Sequence, residues 1–254
     1  MQIVGYDTGA GATEEAALLL GVGGELQREP LTSGRELSFG LGNRRCAGAL
    51  RGANHVRCDA PDAPYCETHD VTWVCARCTG TCLKAEMDCY QEHAIYLAAF
   101  APATFKVGVT KSARLPVRLR EQGADRGARI RTVENGRIAR EIEAEIAAET
   151  PIPDRIRTET KVEGMGRSVD ESAWERLLSE FPPEERFDID YELELPSAPI
   201  AETLASGTVR GTKGRLLVLD RDGDNYAVDL RELVGYELTD DRSSRRLQST
   251  LGSF

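Results

Sequence analysis

Every cysteine and every histidine of the chain falls between Cys46 and His93: seven thiols and three imidazoles. Scatter along the chain does not produce that pattern, so one local structure must need them. Disulfides fit poorly, because no secretory signal is expected and seven thiols leave one unpaired. Zinc fits better, since thiolates and imidazoles at short spacing close a tetrahedral shell. The spacing predicts two structural zinc ions. Cys75 and Cys78 form a C-x2-C pair that Cys82 and Cys89 complete, giving four thiolates. Cys46, Cys58, Cys66 and His69 give three thiolates and an imidazole, with Cys66-Glu-Thr-His69 as the short pair. His93, four residues after Cys89, is an alternative ligand if its region turns helical, and His55 is read as a bystander. Interleaved ligation would use the same residues. A catalytic zinc keeps an open position, so a set dominated by cysteine reads as closed and structural. Such sites stand in for a hydrophobic core where large apolar side chains are few.

The formal net charge is −10, yet 27 arginines stand against 5 lysines. A GC-rich genome explains the ratio blandly. Halophilic adaptation explains it more sharply, since hydrated carboxylates keep a surface soluble at high salt. An acidic balance ordinarily argues against a nucleic-acid partner. At molar salt that inference fails, because attraction is screened within ~3 Å. No stretch approaches the ~20 apolar residues of a membrane span. The most apolar early run, residues 16–22, is short and follows Glu14 and Glu15, whereas a secretory signal begins with positive charge. A cytoplasmic protein is expected.

The elements that must position this chemistry follow. Ala94-Ile95-Tyr96-Leu97-Ala98-Ala99-Phe100 reads as a buried strand, and Phe105-Lys106-Val107-Gly108-Val109-Thr110 as its hairpin partner. A helix carries Arg114, Leu115, Arg118 and Leu119 and stops at Gly123. Residues 137–149 read as a helix with Ile138, Ile142 and Ile146 as an apolar stripe, Ala139 beside it, and Glu143 and Glu145 on opposite flanks.

Two strands bearing A-I-Y and K-V-G, an arginine on the next helix and a glutamate on a later one resemble the GIY-YIG nuclease superfamily. A closer likeness is to an uncharacterised archaeal and bacterial family that joins a zinc-rich block to H-x-x-Y, K-V-G-V-T and E-Q-G-A. His93, Tyr96, residues 106–110 and residues 121–124 reproduce that order. In GIY-YIG nucleases a tyrosine and an arginine contact the scissile phosphate and its attacking water, while a glutamate holds a divalent metal. The resemblance therefore implies Tyr96, Arg118 and Glu143 in those roles, with magnesium or manganese as the metal. Arginine offsets developing negative charge and a hard cation prefers a carboxylate. Gly108 takes the second-motif glycine place. Lys106 stands where that motif carries tyrosine, with Phe105 beside it, and Ala94 stands at the first glycine. Arg114 is a rival to Arg118. Lys106 and Lys111 bracket the second strand and suit phosphate contact, as do Arg114 and Lys213.

Each of these residues also has a bland reading. Tyr96 can be a strand residue at a core edge, and Glu143 one more solvated charge. Arg118 can pair with Glu121 for roughly a few tenths of a kcal/mol.

Further on, residues 168–181 read as a capped amphipathic helix and residues 187–195 as an alternating, half-buried strand. Three more strands are expected at residues 207–212, 215–220 and 226–230. The Asp-rich link between the last two is a hairpin turn rather than a calcium loop. Strands are also expected at residues 2–6 and 35–39.

The predicted class is α+β, in five parts. Residues 1–45 form a short β-rich segment and residues 46–93 the two-zinc module. Residues 94–182 form a GIY-YIG-like α/β domain, and residues 183–239 a small β-barrel or sandwich. Residues 240–254 form a disordered tail. The leading functional expectation is a zinc-stabilised protein that binds nucleic acid, RNA or DNA. A metal-dependent endonuclease and a zinc-stabilised protein-interaction scaffold are the alternatives.

Overall fold

The computed structural model describes residues 1–11, 15–70 and 90–239. The chain divides into two compact units, residues 1–71 with 191–254, and residues 72–190. The architecture is α+β and sheet-rich.

The first unit begins with β1 (Gln2–Asp7), β2 (Ala17–Val22), β3 (Glu25–Pro30), β4 (Glu36–Arg44), β5 (Ala49–Arg51) and β6 (Asn54–Val56). The apolar run of residues 16–22, too short to span a membrane, is the inner strand β2, with Leu18 and Leu20 buried.

The second unit follows the element order β7 (His93–Phe100), β8 (Thr104–Lys111), α1 (Leu115–Gln122), β9 (Arg126–Val133), α2 (Gly136–Glu149), α3 (Thr158–Gly164), α4 (Glu171–Glu180) and β10 (Glu185–Asp188). Its antiparallel sheet has the order β10-β9-β7-β8. All eight residues of β7 are buried, as its apolar run requires of a strand covered on both faces. Ile95, Leu97 and Ala99 join Ala128, Ala139, Trp174 and Leu178 in one core. Tyr96 and Ala98 alternate onto the opposite face. There Leu119 of α1 fills the space that a side chain at Gly127 would need. The Phe105 and Trp174 rings stack 5.7 Å apart.

The chain then returns to the first unit through β11 (Ile200–Ala201), β12 (Ala205–Lys213), β13 (Leu216–Arg221), β14 (Asp224–Asp229), α5 (Leu230–Leu233) and β15 (Tyr236–Thr239). Asp222 and Gly223, both with positive φ, join β13 to β14 as the two-residue Asp-Gly hairpin.

Two expectations are corrected. The C-terminal strands do not close a small barrel; among the described residues they enter one eleven-stranded sheet, β11-β14-β13-β12-β4-β15-β1-β2-β3-β6-β5. Nine-residue β4 makes this possible, because its first half pairs with β12 and its second with β15. The N-terminal and C-terminal strands therefore share one core, including Ile3, Leu18, Leu37, Leu217, Leu219 and Val228. The alternating strand expected over residues 187–195 ends at Asp188, where its partner β9 begins at Arg126. Beyond it Glu192 adopts φ 51°, which a strand cannot accommodate. No helix among the described residues is long and apolar enough to cross a membrane. The expected tail over residues 240–254 lies outside the described residues.

Candidate metal centre and the tyrosine–arginine cluster

Cys46 follows the end of β4, Cys58 follows β6, and Cys66 and His69 occupy the turn between them and the second unit's segment of chain. That turn is built locally: the His69 and Asp70 amides both donate to the Cys66 carbonyl, at 2.9 and 2.7 Å. One ligand atom from each of the four residues lies within 4.8 Å of the others. Cys46 Sγ and Cys66 Sγ stand 3.4 and 3.3 Å from His69 Nδ1, and Cys58 Sγ stands 4.0 Å from Cys66 Sγ. A tetrahedral zinc with Zn–S near 2.3 Å holds its sulfurs ~3.8 Å apart, so the spacing fits such an ion. The amides of Gly48 and Cys66 also donate to Cys46 Sγ, at 3.4 and 3.3 Å. Backbone N–H groups aimed at a thiolate orient it and offset its charge. The His69 imidazole beside Cys66 draws its thiol down to about 6, whereas burial pushes the Cys46 thiol up. The lowered pKa favours the thiolate of Cys66, the form that ligates a cation.

This quartet is the partition read from the spacing. The second proposed shell, Cys75, Cys78, Cys82 and Cys89, lies outside the described residues. His55 is buried with Nε2 2.8 Å from the Ala47 carbonyl oxygen. His93 sits on strand β7 rather than on a helix, with Nδ1 2.6 Å from the Gln91 carbonyl oxygen. The helical geometry that would recruit it as a substitute ligand is absent.

In the second unit β7, β8, α1 and α2 bring together four of the residues singled out above. Tyr96 is 1% exposed, and its hydroxyl accepts a hydrogen bond from the Gln122 side-chain amide. Burial raises the Tyr96 pKa above the ordinary phenol value, and Glu143 adds to that rise while Arg118 opposes it. Lys106, two residues before Gly108 on β8, donates to the Asp154 carbonyl at 2.7 Å. Burial lowers the Lys106 pKa to about 8, against the pull of nearby Glu143. Glu143 is 7% exposed and accepts from Arg140 at 2.5 Å. It lies with Ala139 on the buried stripe of α2, one step round from the isoleucine stripe.

Arg118 is 45% exposed and pairs with Glu121 at 3.1 Å, the i,i+3 contact weighed from the sequence. Glu121 also receives Arg114, at 2.7 Å. Arg114 therefore joins the cluster's rim through a shared carboxylate. Lys111 closes β8 at its far end, opposite His93. Lys213 belongs to the other unit, its Nζ 5.8 Å from the Tyr191 ring centroid. Sequence reasoning missed Gln122, Arg140 and Lys161. Gln122 stood within the E-Q-G-A motif without a role. Nothing local marked the other two.

Fold and site together define an α+β, two-unit protein with a Cys3His cluster close enough to bind a metal ion. The chain belongs to the family described as "Protein of unknown function (DUF2797)", which matches residues 34–238 and so includes the metal cluster and the tyrosine–arginine cluster. No curated protein and no solved structure matches it.

Proposed function

We propose that this is a zinc-stabilised nucleic-acid-binding protein whose second unit, GIY-YIG-like in its element order, holds a phosphate between Lys106 and Arg118. The reading is supported by Lys106 and Arg118 lying near enough to feel each other's charge, neither fully buried, in the unit that buries Tyr96. Two cations on one backbone phosphate supply affinity without sequence preference. Zinc fits the Cys46, Cys58, Cys66 and His69 set because a soft, thiolate-dominated tetrahedron selects it over harder ions. It would fix the segment between β4 and the second unit, and it takes part in no reaction step.

The test is oligonucleotide binding at several stated salt concentrations. Each phosphate contact contributes about one unit of slope in log affinity against log salt. Lys106→Ala and Arg118→Ala should each lower that slope by about one. Unchanged slopes in both variants would remove the phosphate site, and absence of binding by the parent would remove the whole reading.

A second reading, a metal-dependent phosphodiesterase, is favoured by Glu143 lying in the same cluster as Tyr96 and Arg118. It ranks second because Glu143 is buried and engaged by Arg140, leaving little of the carboxylate for a hard cation. Incubation with magnesium or manganese and single-stranded, duplex or branched substrates decides it. Glu143→Gln should abolish cutting and leave affinity largely intact. Equal cutting by parent and variant would rule this reading out.

A further inference from the structure

We infer that the side chain of Gln2 couples the metal centre to the seat of the C-terminal strand β15, by holding the carbonyls of Cys46 and Gly235 on one buried amide. The inference rests on the metal reading of the Cys46, Cys58, Cys66 and His69 set, and every contact it uses lies within the first unit.

Gln2 opens β1 and is 4% exposed, an unusual place for a polar side chain. Its Nε2 donates to the Gly235 carbonyl at 2.9 Å and to the Cys46 carbonyl at 3.2 Å. A third carbonyl, that of Arg45, stands 3.5 Å away. Acceptors on this side fix which end of the amide faces them. The Oε1 on the other side is buried without a hydrogen-bond partner among the described residues. A half-satisfied buried amide is a poor choice for stability alone, since an apolar side chain would carry no such penalty. What its nitrogen holds explains the amide.

One end of the link is the metal ligand Cys46, whose segment is tied at successive peptides. The Arg45 amide donates to the Gly235 carbonyl at 3.1 Å, the Cys46 amide to that of Ala60 at 3.0 Å, and the Ala47 amide to that of Pro64 at 2.9 Å. His55 Nε2 donates to the Ala47 carbonyl at 2.8 Å. Cys46 is therefore the ligand that the sheet places in advance, whereas Cys66 and His69 share a local turn.

The other end is β15, which lies between β4 and β1. Gly235, immediately before it, donates to the Ile3 carbonyl at 2.8 Å. A Cβ at Gly235 would stand 2.4 Å from the Arg45 carbonyl oxygen, so β15 enters pressed against the residue that precedes Cys46. The Arg45 guanidinium adds a second tie, meeting Glu237 of β15 at 2.6 Å and Asp59, next to Cys58, at 3.1 Å. A shift of β15 moves the Gly235 carbonyl and, through the shared amide, the Cys46 peptide. By linkage, metal at Cys46 must in turn steady β15.

Two measurements on the full chain test this. The first is zinc affinity by chelator competition for the parent, for Gln2→Met, and for Asn135→Ala, which removes a helix cap in the second unit. Gln2→Met should bind zinc about tenfold more weakly, as loss of a group that orients a ligand does. Asn135→Ala should bind as the parent does. An equal loss in Asn135→Ala overturns the inference. So does Gln2→Met at the parent's affinity, which leaves the metal reading standing. A parent that takes up no zinc overturns the inference and the metal reading together. The second measurement is amide hydrogen exchange of the unmodified protein with and without chelator. Removing zinc should speed exchange about tenfold at Gly235 and Leu238, whose amides donate to Ile3 and Met1, and leave β13 and β14 protected. No change at Gly235 and Leu238, or the same acceleration through β13 and β14, overturns the inference. Exchange decides the matter should Gln2→Met fail to fold.

Discussion

Tyr96 and Gly108 face each other directly across the β7–β8 pairing, and the Tyr96 hydroxyl occupies the space where a side chain at 108 would begin. A Cβ on Gly108 would stand 2.5 Å from Tyr96 Oη. Glycine is therefore required here by the tyrosine, not by backbone conformation. Gly108→Ala should displace the ring and cost ~1–3 kcal/mol, as overpacking a tight core does. Urea denaturation reads this as a lower midpoint at unchanged slope. A midpoint equal to the parent's would show that the ring has room to move.

Asn135 caps α2, its side chain accepting from the amides of Arg137 and Ile138 at 3.1 and 3.0 Å. That helix carries Glu143 and Arg140. Asn135→Ala should lower stability by about 1 kcal/mol, and Asn135→Asp should retain most of it. Thermal unfolding of the three proteins side by side is the check, with equal melting of all three as the contrary result.

Lys106 gives the cluster a pH dependence with a definite sign. Its folded pKa is about 8, below the ordinary lysine value of 10.5, because burial disfavours the charged form. Below about pH 8 it is charged in folded and unfolded chain alike. Between about 8 and 10.5 the unfolded chain binds more protons, so its contribution to stability rises with pH across that window. Phosphate binding runs the opposite way, since the cation is lost as pH climbs through about 8. Oligonucleotide affinity at fixed salt should fall across that range, and Lys106→Met should flatten the profile. A profile unchanged by the substitution would place the titrating group elsewhere.

The Cys46, Cys58, Cys66 and His69 quartet predicts a metal-dependent stability for the first unit. At free zinc a thousandfold above its dissociation constant, binding stabilises the folded state by about 4 kcal/mol. A strong chelator, or Cys46→Ser, should lower the melting temperature and reduce the zinc counted by elemental analysis. Equal melting with and without chelator, with no zinc in either sample, would refute the site.

Much of the second unit was legible in the sequence because its elements announce themselves locally. The apolar run at residues 94–100 can be satisfied only by a strand buried on both faces. Gly123 ends α1 where a left-handed residue is needed, and in the first unit Asp222-Gly223 turns a hairpin for the same reason. Strand β9 was missed because Arg126, Arg129 and Arg131 mask its apolar face. They are retained by ion pairs such as Arg126 with Asp188 and Arg129 with Glu185, whose partners lie far along the chain. Glu143 was placed on a flank of α2, since helical periodicity ranks faces by hydrophobicity. Its burial depends on Arg140 and on the β8 edge against which α2 lies.

The sequence pointed to Cys46, Cys58, Cys66 and His69 as one candidate shell, and the structure brings these four close enough to bind a metal, because short ligand spacing is local. The sequence also determined the order of hairpin, helix and helix that carries Tyr96, Arg118 and Glu143. Only the tertiary structure decided that residues some 200 apart share one open sheet through β4, since strand pairing over that distance leaves no local trace. It alone decided that Tyr96 is sealed in the core with Gln122 as its hydrogen-bond partner, because burial and hydrogen-bond partners belong to the packed chain and to no single segment of it.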